Sequence, residues 1–561
     1  MALSDLSTTS YGRRLIVSLI DTYAEETPQR IWASVPRNES DLTEGFVDIT
    51  FREFANAINN AAWWLDSILD SGRGDFETFA YAGPKDIRYP VLAVAAVKVG
   101  RKILLPSPFA TPEAQEHVLK VTDCKAYLRP TSMATLVQSI VREGSNMKIV
   151  TVPELQEWMQ PKSQLYPYNK TWEEAMLDPW IVFHTSGTTG LPRPITYTNL
   201  MMTSLDIAQT MPDANEETTN THFSNDRWYT PMPTLHFIGM TVTLQMTVFL
   251  GTIVVFGPST GPATTQTVDL IFQHGNVAGA MLPPSLLEDL CKDQDMLGRV
   301  RKLKYVHFAG APLNKVAGDK ISKYVNLMPA IGSTEAGPYF PRVRNDTDWE
   351  YYSFRPSMGV VFEQQTKELY ELVIHRNKLY ERWQQVFYVY PELDRFPTKD
   401  LWNRHPVEPD LWAYAGRTDD LVILSHGEDL YASKMEAEIT MDPMIRATLL
   451  GGEGRPKPFV IIELIEDAEF PATEVAKQAL IESLWSAVER ANRLCSEYVK
   501  IEKSLVLIVN PQKPLARTAK SNVARRESLA LYKVEIDAFF LGVVNAQVKK
   551  ARDYKFSLQD K

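Results

Sequence analysis

With 561 residues, 44% of them hydrophobic and 23% charged, the chain is too long for one ordinary domain and apolar enough for real cores, which excludes a disordered protein. A formal net charge of −10 argues against nucleic acid or an anionic membrane as partner. The three cysteines, Cys124, Cys291 and Cys495, are far apart and lack CxxC spacing. Neither a disulfide scaffold nor a cysteine-based zinc site is expected, and a reducing, cytoplasmic setting fits.

In chain order, the opening MALSDLSTTSYGRRL has no long apolar run behind its charges, so no secretory signal is expected. Residues 89–99 (YPVLAVAAVKV) read as a buried helix and 103–105 as a following strand closed by Pro106. Residues 180–183 form a short apolar strand that runs into a Gly- and Thr-rich stretch, after which Asn199 is expected to cap a helix over 201–210. The most apolar run, 246–256, is too short to span a bilayer and reads as buried strand, although it holds Gly251. Further strands are expected at 421–424, 459–465 and 505–509. A helix is expected at 432–439 and an amphipathic one over 474–494, with Ile481, Leu484, Trp485, Val488 and Ala491 on one face. GGEGRPKP at 451–458 reads as a turn.

This alternation predicts an α/β protein. A large N-terminal domain of sheets and helices (1–415) precedes a hinge at 416–420. A small, mobile α+β C-terminal domain (421–540) follows, then a tail or linker (541–561).

The chemistry starts at HTSGTTGLPRPI, residues 184–195. Two glycines in TSGTTG let backbone N–H groups approach a ligand closely, and four hydroxyls add donors, a combination suited to a polyphosphate. It is not the GxxxxGK[ST] nucleotide loop, because Pro192 stands where that pattern, counted from Gly187, needs Gly.

On this stretch and others that follow it in order, the chain resembles the adenylate-forming superfamily of acyl-CoA synthetases, luciferases and peptide-synthetase adenylation domains. YVHFAGAPL (305–313) resembles the adenine-lining segment, AIGSTEAG (330–337) the YGxTE motif and FPTKDLW (396–402) the TGD motif. GRTDDLVILSHGEDL (416–430) resembles the hinge, and PLARTAKSNVARR (514–526) the segment with the C-terminal catalytic lysine. The resemblance implies ATP, Mg²⁺ and a small-molecule carboxylic acid. Thr185, Ser186, Gly187, Thr188, Thr189 and Gly190 would hold the β- and γ-phosphates, with Arg193 standing where the family usually has Lys. Gly310, Ala311, Pro312 and Ile331 would line the adenine, Ile331 replacing a common aromatic residue. Thr334 would meet the α-phosphate and Glu335 the Mg²⁺. Asp400, preceded by Lys399 instead of the usual Gly, would accept from the ribose hydroxyls beside Arg417. Lys520 would bridge the acid's carboxylate and the phosphate, and Asp419 would be the hinge about which the small domain rotates between its two half-reactions.

Over nearly the whole chain the resemblance sharpens to the adenylation domain of fungal synthetase-like carboxylic acid reductases. That implies transfer of the acyl group to the phosphopantetheine thiol of a carrier domain, in cis or in trans. No carrier serine motif and no GxxGxxG nucleotide motif follows Lys520, so the chain is not expected to reduce anything by itself. Amino-acid-activating relatives place Asp where PTLHFIGM (233–240) has His236-Phe237, which predicts an acid without an α-amino group. Phe237, Leu282, Pro283, Phe308, Ile331 and Gly332 are the expected pocket and His236 the carboxylate neighbour. The acid is expected to be aromatic or otherwise hydrophobic, with a quaternary ammonium acid as an alternative. A stand-alone acyl- or aryl-CoA ligase and a catalytically inactive nucleotide-binding module are the rival readings.

Overall fold

The computed structural model describes residues 11–69, 75–108, 110–141, 147–186, 191–218, 221–343, 348–418, 421–425, 428–466, 468–471, 473–495, 499–517 and 523–540. The chain divides into two units, Met1–Thr398 with Trp402–Tyr414 and Lys399–Leu401 with Ala415–Lys561.

In the first unit, six strands lie in the order Lys148–Thr151, Cys124–Arg129, Thr78–Tyr81, Lys102–Leu104, Pro179–Ser186, Pro192–Thr198. All neighbours are parallel except the last pair. Parallel strands need crossover helices, which bury both faces of the sheet. The helix Arg88–Lys98 shows the consequence, because every one of its residues is buried. Its single cation near the end, Lys98, is satisfied inside by both oxygens of Asp21 (2.8 and 2.7 Å) and by Asn59 (2.8 Å), as a buried charge requires. The neighbouring helix Phe51–Ile68 starts at a capping box in which Thr50 and Glu53 satisfy each other's backbone amides.

A second sheet runs in the order Asn326–Pro329, Tyr305–Phe308, Gly279–Leu282, Arg227–Tyr229, Ile253–Val255, Ile31–Pro36, Phe46–Thr50. It too is parallel up to its final pair. Tyr351–Tyr352, Trp412–Arg417, Arg395–Arg404, Leu369–His375 and Val360–Gln364 form a third sheet, and Gly332–Ser333 with Gly337–Pro338 make a small hairpin.

Two sequence expectations are corrected here. The run 246–256 is mostly not strand: a π-helical stretch Thr241–Met246 continues as the helix Thr247–Phe249, and only Ile253–Val255 is extended. The change falls at Gly251, whose φ of +69° turns the chain and whose missing Cβ would lie 2.4 Å from the Asn225 Oδ1. Nor does Asn199 cap a helix. Its amide donates to the Ala175 carbonyl at 2.9 Å, the hydroxyl of Thr198 meets the Met201 amide, and 201–208 is a 3₁₀ turn followed by the short helix Ser204–Ala208.

In the second unit, Leu421–Ile423 pairs with Asp429–Tyr431, and Ile445–Gly451, Phe459–Leu464 and Val506–Ile508 form a three-stranded sheet. The helices Ala432–Thr440 and Glu474–Asn492 share a core with it, the latter through Ile481, Leu484, Ala487, Val488 and Ala491. Residues 451–458 turn between two of these strands. The expected tail, 541–561, lies outside the described residues. Among the described residues no helix is long and apolar enough to cross a membrane.

Candidate active site

The Gly/Thr-rich stretch lies between the antiparallel strands Pro179–Ser186 and Pro192–Thr198, with Thr185 opposite Arg193 and Ser186 opposite Pro192. Gly187, Thr188, Thr189 and Gly190 lie outside the described residues. The leading strand is anchored from behind, where the Trp180 indole donates to the Ala93 carbonyl of the buried helix at 2.6 Å. Nearer the loop, Nε2 of His184 accepts from the Ser107 amide at 3.1 Å. Arg193 is exposed and lays its guanidinium over the Tyr390 ring, 4.8 Å from the centroid, a cation–π contact that gives the Lys-to-Arg departure a physical role.

AIGSTEAG folds as the tip of the hairpin Gly332–Ser333/Gly337–Pro338. A Cβ on Gly332 would lie 2.6 Å from the Gly337 carbonyl oxygen, so only glycine lets the two arms approach this closely. Inside the tip the Ser333 hydroxyl accepts from the Ala336 amide (3.1 Å), and the Tyr197 hydroxyl donates to the Thr334 carbonyl at 2.8 Å. Glu335 is half-buried beside these groups. Its charge helps to hold two tyrosines above their ordinary pKa: Tyr197, mainly by burial, and Tyr390, where burial dominates and Arg193 opposes. Arg193, Glu335, Thr334, Tyr197 and Tyr390 are thus neighbours, although they span 197 positions from Arg193 to Tyr390 (390 − 193).

Gly310, Ala311 and Pro312 are exposed just beyond the strand Tyr305–Phe308, and Ile331 is half-buried at the base of the hairpin, its carbonyl accepting from Tyr339 at 3.1 Å. His236 and Phe237 are half-buried where the short helix Phe237–Met240 begins. Leu282 and Phe308, 0% and 3% exposed, sit opposite each other in the parallel sheet and belong to the helix-backed core, Phe308 edge-on to Trp349. Strand alternation puts them on the face opposite Met281 and His307.

A cavity of about 360 Å³, which nothing in the sequence pointed to, lies beside the π-helical segment. Thr230, Thr234, Gly239, Val242, Phe256 and Lys85 are among its walls. Burial lowers the pKa of Lys85, whose ammonium donates to the Gly261 carbonyl at 3.2 Å, and the buried Thr234 hydroxyl has no hydrogen-bond partner among the described residues.

In the second unit, Arg417 donates to Asp400 at 3.1 Å, with Asp400 mostly covered and Arg417 at 44% side-chain exposure. Lys399 has a φ of +64°, the left-handed conformation in which a side chain costs about 1 kcal/mol or more and glycine nothing. That explains the glycine usual before this Asp. Lys399→Gly is therefore expected to stabilise the protein by roughly 1 kcal/mol, read as a higher urea midpoint at unchanged slope. Asp419 and Lys520 lie outside the described residues. On either side of 518–522, Arg517 and Val523 form an antiparallel bridge and the Ala524 amide donates to the Ala516 carbonyl at 2.7 Å.

The AMP-binding enzyme pattern matches residues 21–367, well over half of the chain, and the AMP-binding enzyme C-terminal domain matches 419–543. The chain belongs to the AMP-binding enzyme family. Within it, the chain is 33% identical over 553 residues to a carboxylic acid reductase of Neurospora crassa, aligning 96% of this chain with 52% of that protein. It is 30% identical over 545 residues to an isocyanide synthase–NRPS hybrid of Aspergillus fumigatus, aligning 96% of this chain with 34% of the other. The chain therefore spans only a third to a half of these curated relatives. In fold it is similar to the adenylation domain of a carboxylate reductase from Mycobacterium chelonae (TM-score 0.67, 16% identity, 94% of this chain and 91% of that one). An anthranilate CoA ligase solved with anthranoyl-AMP is equally similar (TM-score 0.68, 16% identity, 94% and 99%). The α/β architecture stands on the structural matches, and membership of the AMP-binding enzyme family on the family pattern and the curated relatives.

Proposed function

We propose that this AMP-binding family member activates a carboxylic acid lacking an α-amino group to an acyl-adenylate. It then passes the acyl group to the phosphopantetheine thiol of a carrier domain, as the first step of a carboxylic acid reductase. The observation that carries this reading is the meeting, in the first unit, of the strands that flank the phosphate loop with the hairpin tip of Glu335, through the Tyr197–Thr334 hydrogen bond. Thr185 and Ser186 would offer hydrogen-bond donors to a polyphosphate, and the carboxylate of Glu335, an anion like the phosphates, would meet it only through a bound cation.

Among the described residues no group of three or more His, Cys, Asp or Glu could hold a metal ion. A single carboxylate nevertheless suits Mg²⁺, which keeps waters and shares phosphate oxygens instead of seeking an all-protein cage. Glu335 would hold it, and bound Mg²⁺ would neutralise phosphate charge. The acid's carboxylate oxygen then attacks the α-phosphorus, the α–β phosphoanhydride bond breaks and pyrophosphate leaves. Anion approaches anion, so the residues contribute position and positive charge. Lys520 supplies that charge, Thr334 meets the α-phosphate, Asp400, assisted by Arg417, holds the ribose, and Gly310, Ala311, Pro312 and Ile331 flank the adenine. His236 faces the carboxylate, with Phe237 and Ile331 as apolar walls. In the second half-reaction the thiol attacks the acyl carbon and AMP departs.

Acid-dependent ATP–pyrophosphate exchange across benzoic, cinnamic, fatty, amino and betaine-type acids tests the reading. Exchange with one non-amino class supports it. Bound ATP without exchange for any acid points to the inactive module. Thioester formed with free coenzyme A but with no carrier protein favours a stand-alone CoA ligase. For the proposed hinge, Asp419→Pro should spare exchange within about threefold and cut thioester formation at least tenfold, because a proline restricts the backbone rotation that the second pose needs. Equal loss of both half-reactions would rule that role out.

A further inference from the structure

We infer that Tyr197 is a positioning residue for the metal and α-phosphate contacts, a brace between the strand that follows the phosphate loop and the hairpin tip bearing Thr334 and Glu335. The inference rests on the adenylation reading and adds to it a residue that belongs to none of the motifs.

The geometry is specific. Tyr197 pairs with Ile181 across the two strands, and its ring meets Phe183, two residues along, edge-on at 5.0 Å between centroids. The ring is 1% exposed, so packing fixes its direction. Fixed in this way, the hydroxyl donates to the Thr334 carbonyl at 2.8 Å, across 137 positions of sequence. Burial, with the negative charge of Glu335 and the nearby Tyr339 adding to it, raises the Tyr197 pKa well above the ordinary value, so the hydroxyl keeps its proton and remains a donor throughout the neutral range. Two further side-chain bonds at the tip, the Ala336 amide to Ser333 and the Tyr339 hydroxyl to Ser333 at 3.5 Å, both stay within residues 333–339 and do not set its distance from the loop. Tyr197 can, because its strand leaves the loop and its hydroxyl ends on the residue next to Glu335.

A buried tyrosine that merely finds an acceptor would contribute to stability alone, and the test separates the two roles. Tyr197→Phe keeps the ring and its packing on Phe183 and removes only the donor. The matched control is Tyr23→Phe, which removes another buried hydroxyl-to-carbonyl bond, Tyr23 to Val248 at 3.2 Å, in the helix Ile16–Glu26. Mn²⁺ affinity of the ATP-bound protein, above that of ATP alone, is read from the electron paramagnetic resonance signal of free Mn²⁺. Exchange is titrated with Mg²⁺ alongside. Tyr197→Phe is expected to weaken Mn²⁺ binding and raise the half-saturating Mg²⁺ three- to tenfold at unchanged KM for the acid, whereas Tyr23→Phe shifts only the melting temperature. Phe183→Leu, which keeps the hydroxyl but frees the ring, should move both metal readouts in the same direction by less, and it serves if Tyr197→Phe does not fold.

Unchanged Mn²⁺ affinity in Tyr197→Phe, with any fall in exchange tracking lost stability as in the control, overturns the brace. So does a Glu335→Gln variant that binds Mn²⁺ as the wild type does, since the tip would then hold no metal. Failure of the wild type to exchange with any acid, while Mn²⁺ binding still responds to Tyr197→Phe, would instead overturn the adenylation reading and leave the brace standing.

Discussion

Lys520→Ala is expected to lower acid-dependent ATP–pyrophosphate exchange by about 10²–10³-fold while ATP still protects the protein against thermal unfolding. The size follows from one well-placed charge, worth about 3–4 kcal/mol in the transition state, with each 1.36 kcal/mol a factor of ten. Lysine suits the position because charge accumulates between two anions as the carboxylate closes on the α-phosphorus, and a compact ammonium can follow it. The neighbourhood gives a folding control. Arg517 donates to Glu463 at 2.6 Å and pairs with Val523, contacts that a change at Lys520 leaves chemically intact. Thioester formation from supplied acyl-adenylate should fall much less than exchange. Equal losses in the two assays would mean that the substitution acts through folding.

Asp400→Ala should reduce kcat/KM for ATP by about 10²-fold and abolish the preference for ATP over 2′-deoxy-ATP. Hydrogen bonds to a charged acceptor contribute about 1.5–3 kcal/mol each, and the ribose offers two hydroxyls. Arg417→Ala should cost about tenfold or less. Its side chain is 44% exposed, where an ion pair contributes at most about 1 kcal/mol, so its effect lies in orienting Asp400. If Asp400→Ala still discriminates against the deoxynucleotide, the carboxylate does not hold the ribose. If Arg417→Ala proves the worse of the two, the arginine touches the nucleotide itself.

Much of the fold could be read locally. YPVLAVAAVKV is apolar on every side and became a helix buried on every side. The amphipathic pattern from Ile481 to Ala491 became the core face of Glu474–Asn492. The run 246–256 misled because an apolar string looks alike in a buried helix and a buried strand. Here threonine hydroxyls bond back to carbonyls one turn earlier, Thr243 to Gly239 at 2.9 Å and Thr247 to Thr243 at 2.7 Å, and Gly251 places the break. Asn199 misled for a related reason, since a side chain that can cap a helix can equally be claimed by a distant carbonyl.

The motif strings, from TSGTTG through STE and KDLW to ARTAK, are contiguous, so the amino-acid sequence alone determined the residue types proposed to meet a polyphosphate, a metal ion and a ribose. Only the tertiary structure decided which apolar residues share which core. Leu282 and Phe308 face the helix-backed core because of the layer their strands occupy, and periodicity carries no record of which face that layer covers. It also decided that Arg193 meets Tyr390 and that Tyr197 reaches Thr334. Contacts between residues more than a hundred positions apart depend on sheet order and crossover packing, and neither is written in any short stretch of chain.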